Sequence, residues 1–285
     1  MKFNAVLALS ALAKTALAYN GEFSALAMNV AGLPAFLQGN DVPGDKAVNA
    51  RLIGQKFSDQ NIDIVHVQED FNYHAMLYEN NRHPQRTPTS GGVPFGQGLN
   101  TLSSFPWVDF QRIKWDQCSN ASGADCLTPK GFTFMRMRIA GEGSAAVYMD
   151  VYNLHADAGT EPDDLKARTS NLRQVAAYIL KNSVGNPVLV FGDTNSRYSR
   201  TADVGLRELL ATQNPTGPGL KDAWVEIQRG GVVPTEETLC TNPSTTDKCE
   251  TVDKIFYRGS PLLDLTATAW SYESKRFLQP ERIVL

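Results

Sequence analysis

The sequence predicts an α/β domain. Three observations carry that prediction. Short apolar runs rich in β-branched and aromatic residues recur along the chain, and helical-period stripes lie between them, as at residues 46–60 and 163–182. The strand-like runs also repeatedly empty into polar residues, which is the α/β signature. Residues 188–198, VLVFGDTNSRY, show it most sharply. There an apolar run bracketed by Pro187 and Gly192 gives way to a carboxylate, a hydroxyl, an amide and a guanidinium. Such a cluster suits a site that handles a phosphate and a metal. Taken alone it suits an Asx-type turn equally well, with Asp193 and Asn195 bonding only local backbone.

The chain has 285 residues, and its start reads as a leader. A short basic head is followed by an apolar run at residues 5–12, and Ala16-Leu17-Ala18 gives an A-x-A cleavage pattern before Tyr19. That is the form of a secretory signal peptide over residues 1–18. No later stretch approaches the ~20 apolar residues of a membrane span. Of 27 basic and 30 acidic residues, Lys2 and Lys14 fall in the leader, so residues 19–285 keep 25 against 30, a net −5. That balance excludes a general electrostatic attraction to nucleic acid or anionic lipid. With no repeat, low-complexity tract or long linker, a single domain over residues 19–285 is predicted, and a monomer is expected. The four cysteines fall as Cys118/Cys126 and Cys240/Cys249. In a secreted protein that proximity favours two local disulfide loops, although four cysteines allow three pairings. Asn120-Ala121-Ser122 is a glycosylation sequon inside the first loop.

Taken in order, a strand is predicted ending near Asn29, before the turn Gly32-Leu33-Pro34. Val48, Leu52, Ile53 and Phe57 give residues 46–60 one apolar helical face. Residues 62–67 are the next strand, delivering Gln68, Glu69 and Asp70. Residues 72–98 show little periodicity, and a structureless segment of that length is usually functional. Residues 99–102 and 107–115 read as strands of a hairpin-like unit, and residues 131–139 and 146–154 as two more, the last leading into His155. The helix at 163–182 carries the stripe Leu165, Leu172, Val175, Ala176, Ile179 and Leu180, with Glu161, Asp163 and Asp164 at its positive end. A short helix at 206–210, a Pro/Gly turn at 214–219, and strands at 252–257 and 263–270 complete the prediction.

Polar residues thus stand at four strand exits, Asn29, Glu69, His155 and Asp193/Asn195, with Asp253 near the start of a later strand. Ligand sites gather at strand ends in α/β sheets, so these groups can converge. Glu69 and Asn29 offer hard oxygens for Mg²⁺ or another divalent cation such as Mn²⁺ or Ca²⁺. His155 can donate to a phosphate or a leaving group, Asp193 can orient or deprotonate water, and Asn195 can donate to a phosphoryl oxygen. Met28-Asn29-Val30, Gln68-Glu69, Asn153-Leu154-His155, Gly192-Asp193-Thr194-Asn195 and Val252-Asp253-Lys254-Ile255-Phe256 resemble, in order, motifs of the endonuclease/exonuclease/phosphatase superfamily. That superfamily includes deoxyribonuclease I, the neutral sphingomyelinases and the inositol-polyphosphate phosphatases. Lys130-Gly131-Phe132 and residues 98–103 resemble the sphingomyelinase-type members in particular.

The resemblance implies a four-layer α/β/β/α sandwich and a metal-dependent phosphoesterase. Glu69 would hold the metal with Asn29 beside it, Asp193 would activate water, and Asn195 and His155 would stabilise the phosphoryl group. Members of the superfamily close on a Ser-Asp-His segment whose His serves as base. Here the chain ends at residues 281–285, ERIVL, where that segment is expected to begin. A C-terminal strand cut short, an Asp253 without its histidine partner and impaired catalysis are therefore expected. Of the four histidines, His66 is expected in the core, His83 on a surface loop, and His74 lining the pocket. Arg197 is a candidate phosphate contact, with Arg200 near it. The expected substrate is a phosphodiester, with a sphingomyelin-like lipid headgroup favoured. A secreted nuclease and an inactive phosphate-binding module are the alternatives.

Overall fold

The computed structural model describes residues 20–37, 44–212, 218–261 and 263–278. The predicted leader, the chain end and most of the turn predicted at 214–219 lie outside the described residues.

Two sheets face each other, and each is built around a parallel strand–helix–strand unit. In the first sheet β1 (Ala25–Asn29) runs parallel to β2 (Ile64–Gln68) across α1 (Lys46–Asp59). Beyond them lie β4 (Asn100–Ser103) and the two-residue β3 (Gln85–Arg86), in the order β1-β2-β4-β3. In the second sheet β7 (Val147–His155) runs parallel to β8 (Val188–Asp193) across α3 (Pro162–Asn182). Antiparallel neighbours extend it to β5 (Trp107–Lys114) and β6 (Gly131–Ala140) on one side, and to β10 (Asp253–Arg258) and β9 (Lys221–Asp222) on the other. A parallel pair needs a crossover that lies on one face of its sheet, so each unit places its helix on the outside.

Helix starts follow local chemistry. Asp45 accepts from the N–H groups of Ala47 (2.8 Å) and Val48 (3.0 Å) to cap α1. Glu161 and Asp164 form a capping box ahead of α3, with Pro162 in its first turn. Three apolar layers follow from strand alternation. Val65, Val67 and Leu102 meet Ala50 and Phe57 of α1 and Leu77 of α2 (His74–Glu79) outside the first sheet. Phe132, Phe134, Tyr152, Leu154, Val188 and Val190 meet α3, α4 (Val204–Leu210) and α5 (Ala223–Arg229) outside the second. Between the sheets lie Ile64, Met135, Met137, Met149, Val151, Leu189 and Phe191. The architecture is the predicted four-layer α/β/β/α sandwich, and both disulfides, Cys118–Cys126 and Cys240–Cys249, close the two local loops.

Some expectations are corrected. Strands β4 and β5 do not form a hairpin-like unit; they belong to different sheets, because β4 pairs with β2 while β5 pairs with β6. Residues 72–98 are not structureless, since they carry α2 and β3. Residues 263–270 are not a strand: only Leu263 bridges, to Ser260, while Leu263, Leu265 and Ala267 pack on the inter-sheet core without a ladder. In α3, Leu180 at the end of the predicted stripe is 45% exposed, and the buried Arg168 and Asn171 take part in its inner face. His83 is buried rather than on the surface, its Nε2 bonded to the carbonyl of Ile62 (2.6 Å) and its Nδ1 to Asn81 (3.1 Å).

Candidate active site

Strand parity decides what reaches the space between the sheets. Side chains alternate faces along a strand. Ala25 and Ala27, Ile64 and His66, Leu189 and Phe191 point inward, so Asn29, Gln68 and Asp193, each two residues further on, share that face. The same count along β7 carries Val151 to Asn153 and His155, and along β10 it joins Tyr257 to Asp253. The inter-sheet layer therefore changes from apolar to polar towards one end. His66 stacks on Phe191 with centroids 3.6 Å apart and bonds its carbonyl (3.0 Å), and Gln68 Nε2 donates to Asn153 Oδ1 (2.8 Å).

At that end the predicted groups meet. Asn29 Nδ2 donates to Glu69 Oε1 (2.9 Å) and reaches Asp193 Oδ2 at 3.3 Å, so one amide bridges the two carboxylates and the two sheets. Asp193 Oδ2 is 3.6 Å from His155 Nε2. Backbone conformation fixes these exits. Glu69 sits in the left-handed region (φ +56°), and its carbonyl accepts from Gly32 N–H (3.0 Å), where a Cβ would lie 2.3 Å from that oxygen. Asn195 is also left-handed (φ +49°), and its N–H donates to Asp193 Oδ1 (3.0 Å). Turn and cluster are thus not alternatives: one oxygen of Asp193 closes an Asx turn while the other faces His155 and Asn29. The Asn195 side chain donates to the carbonyl of Ala156 (3.0 Å).

Lys130, which opens the Lys-Gly-Phe motif of the resemblance, joins the site without being one of the predicted site residues. It lies just before β6, its Nζ 3.3 Å from His155 Nε2 and ion-paired with Asp125. An ammonium has no acceptor, so Nε2 accepts and the neutral imidazole keeps its proton on Nδ1, which is buried with no partner among the described residues. Burial, and then the Lys130 charge, hold the His155 pKa well below that of an ordinary histidine. Burial likewise raises Glu69 and Asp193, against the opposing Asn29 bonds. Asp253, paired in register with Asp193, is pushed up to about 8 by burial and by the Asp193 charge. Its Oδ1 is buried and makes no hydrogen bond among the described residues.

Two predicted contacts lie elsewhere. His74 Nδ1 bonds Asp70 (2.7 Å) and its ring lies 4.0 Å from that of Tyr78, in a polar group with Asn100. Arg197 directs its guanidinium to Glu237 (2.6 Å). Neither makes a described bond to Glu69, His155 or Asp193.

Do these residues fit a metal? No cluster of three His, Cys, Asp or Glu among the described residues forms a closed cage. Mg²⁺ asks for less, since it retains waters and takes one or two protein carboxylates. Glu69 Oε2 is buried without a partner among the described residues, beside the buried carboxylate of Asp193, and that pair of hard oxygens fits such an ion. Asn29 was expected to offer its oxygen, but that oxygen accepts from Ala31 N–H (3.0 Å). The amide acts here as the donor that holds the two carboxylates together.

Residues 45–221 match endonuclease/exonuclease/phosphatase family 2. The chain belongs to that family. Within it, the chain is 37% identical over 265 residues to sphingomyelinases of Mycobacterium bovis and Mycobacterium tuberculosis. The match covers 90% of this chain but 49% of theirs, so the chain spans about half the length of those relatives. Sphingomyelinase C from Streptomyces griseocarneus superposes with a TM-score of 0.58 at 20% identity, covering 82% of each chain. A Staphylococcus aureus beta toxin variant with bound magnesium ions superposes with a TM-score of 0.53 at 20% identity, covering 64% of this chain and 68% of its own. Both likenesses are of fold.

Proposed function

We propose that this family member is a secreted, monomeric phosphodiesterase that needs Mg²⁺ or a similar divalent cation and cleaves a phospholipid headgroup of the sphingomyelin type. The observation that carries the reading is the junction of Glu69, Asn29, Asp193, His155 and Lys130 at one end of the inter-sheet layer. The identity to mycobacterial sphingomyelinases supports the substrate class, and the magnesium named for the beta toxin variant supports the ion. Two disulfides suit an oxidising compartment, as does the signal-peptide pattern of residues 1–18.

In-line attack of water on the phosphorus breaks the bond to the lipid oxygen, which leaves as an alcohol on taking a proton from solvent; negative charge gathers on the phosphoryl and leaving oxygens, and a divalent cation held by Glu69 would supply Lewis acidity there. Asp193, whose pKa burial raises and whose Oδ2 faces the site, takes the proton of the attacking water. Asn29 keeps that carboxylate aimed. Lys130 places a fixed cation beside His155 where charge develops, and Asn195 fixes the Asp193 turn. Arg197 and His74, held by Glu237 and Asp70, stay outside this step.

The test is hydrolysis of a choline phosphodiester lipid by the full chain, with and without chelator, beside Asp193→Asn. Expected are chelator-sensitive release of phosphocholine and a loss of about 10²–10³-fold or more in kcat for the variant. Cleavage of single- or double-stranded DNA with an inert lipid would assign a nuclease instead. Headgroup binding without turnover would assign a binding module.

A further inference from the structure

Outside the reacting groups lies a buried ionic cluster centred on Asp203. Its Oδ1 accepts from Arg168 Nε (3.0 Å) and Nη2 (2.7 Å), and its Oδ2 from the Arg197 N–H (2.8 Å) and Arg200 Nε (2.7 Å). Asp203 and Arg168 are 3% and 1% exposed. Both guanidinium groups reach further. Arg168 Nη1 donates to the carbonyls of Asp157 (3.1 Å) and Gly159 (2.8 Å), on the loop that leaves His155. Arg200 Nη2 donates to the carbonyl of Asn195 (2.5 Å), on the turn that leaves Asp193. The two loops also touch at Ala156, whose N–H donates to the Asp193 carbonyl (2.9 Å) and whose carbonyl accepts from Asn195 Nδ2 (3.0 Å).

We infer that Asp203 is a positioning residue. It clamps the His155 loop to the Asp193 turn through Arg168 and Arg200, and so sets the 3.6 Å separation of His155 Nε2 and Asp193 Oδ2. The arginine beside the site in sequence, Arg200, is thereby an internal strut rather than a substrate contact. The chemistry fits that use. An arginine fork offers its donors on three nitrogens in one rigid plane, so the Arg168 guanidinium holds a carboxylate through two nitrogens and two backbone carbonyls through the third, whereas a lysine gathers its three donors on a single rotatable ammonium. In the water-poor interior each such bond resists displacement, because a stripped partner would be left unsatisfied. Misplacing reacting groups by a fraction of an ångström lowers the rate of the chemical step while leaving binding of the substrate largely intact.

The inference rests on the phosphodiesterase reading for its kinetic arm only. That arm compares the full chain with Asp203→Asn, which is isosteric, and with Arg200→Gln, whose side chain is 20% exposed and whose loss the fold tolerates more easily. The control is Arg173→Gln, which breaks an exposed α3–α4 ion pair with Glu208. Expected is a fall in kcat of about 10- to 100-fold with KM within about twofold for the first two, and no change for the control. The second arm reads amide hydrogen exchange under conditions where all variants are folded. Arg200→Gln is expected to speed exchange about tenfold at residues 156–160, across the clamp, as well as at 195–200. Faster exchange confined to 195–200, or an unchanged kcat in folded Asp203→Asn, would overturn the clamp. If the unaltered chain cleaves no phosphodiester, the functional reading fails, and the exchange arm still decides the clamp.

Discussion

At the scale of single residues, the cluster works by keeping charges few and opposed. Glu69 and Asp193 are two buried acids bridged by one amide, and the only cation the structure bonds to His155 among the described residues is Lys130. A preorganised ammonium aimed where charge develops is worth far more in a buried site than in water. Lys130→Met is therefore expected to lower kcat/KM about 10²-fold. The same substitution removes a positive neighbour from His155, so its depressed pKa moves back towards the ordinary value. An NMR titration of His155 that showed no upward movement would sink this account of the Lys130 contact. Of these groups, Asn29, Glu69, His155, Asp193 and Asn195 were legible as polar residues at strand exits. Lys130 was not, because it precedes a strand instead of ending one, and only its approach to His155 across the sheet gives it a place.

At the scale of elements, the packing of α1 on α2 shows how a residue without a side chain can set an interface. A Cβ at Gly54 of α1 would lie 1.8 Å from the carbonyl oxygen of Leu77 in α2, and that oxygen is backbone and cannot swing aside. Gly54→Ala gains about 1 kcal/mol of helix propensity. Overpacking costs about 1–3 kcal/mol, and here it must move one helix off the other, so the cost wins. A lowered urea midpoint with an unchanged slope is expected; a raised midpoint would show that the helices part freely. The matter reaches the site, because α2 follows directly on the Glu69 exit. The sequence made α1, α3 and the longer strands legible through their periods, but not the two-residue β3 and β9, and it suggested a strand at 263–270 that the structure does not form. It concealed α2 and α5, which are 6 and 7 residues long, while the equally short α4 was legible from its leucines ahead of the Pro/Gly turn. It also hid the membership of β4 and β5 in opposite sheets, which no local pattern encodes.

At the scale of the whole molecule, the inter-sheet layer stabilises the fold and aims the site. His66 lies in that layer, fully enclosed, and burial pushes its pKa from 6.5 down to about 3 against the raising effect of the Phe191 carbonyl. The unfolded chain protonates this histidine below about pH 6.5 while the fold does not, so the unfolded state binds more protons there and stability falls as pH falls. Between pH 7.5 and 5 the loss from this one group is about 2 kcal/mol, continuing to about pH 3. His66→Phe, which keeps the stacked ring and cannot titrate, is expected to flatten the acid limb of unfolding midpoint against pH; an unchanged limb would assign the acid sensitivity to other groups. The sequence by itself determined the α/β class and the polar strand exits, and it favoured the two local cysteine loops and the core place of His66 that the structure shows, because each rests on spacing along the chain. Only the tertiary structure decided that Asn29 turns its amide hydrogens, not its oxygen, to Glu69 and Asp193. It likewise decided that Arg197 and Arg200 spend their guanidinium groups on Glu237, Asp203 and the Asn195 carbonyl. The physical reason is that a strand's period fixes which face a side chain takes, whereas its partner is fixed only when a neighbouring strand, 40 residues away for the Asn29–Glu69 bond, and a second sheet, 164 residues away for the Asn29–Asp193 bond, come to lie against it.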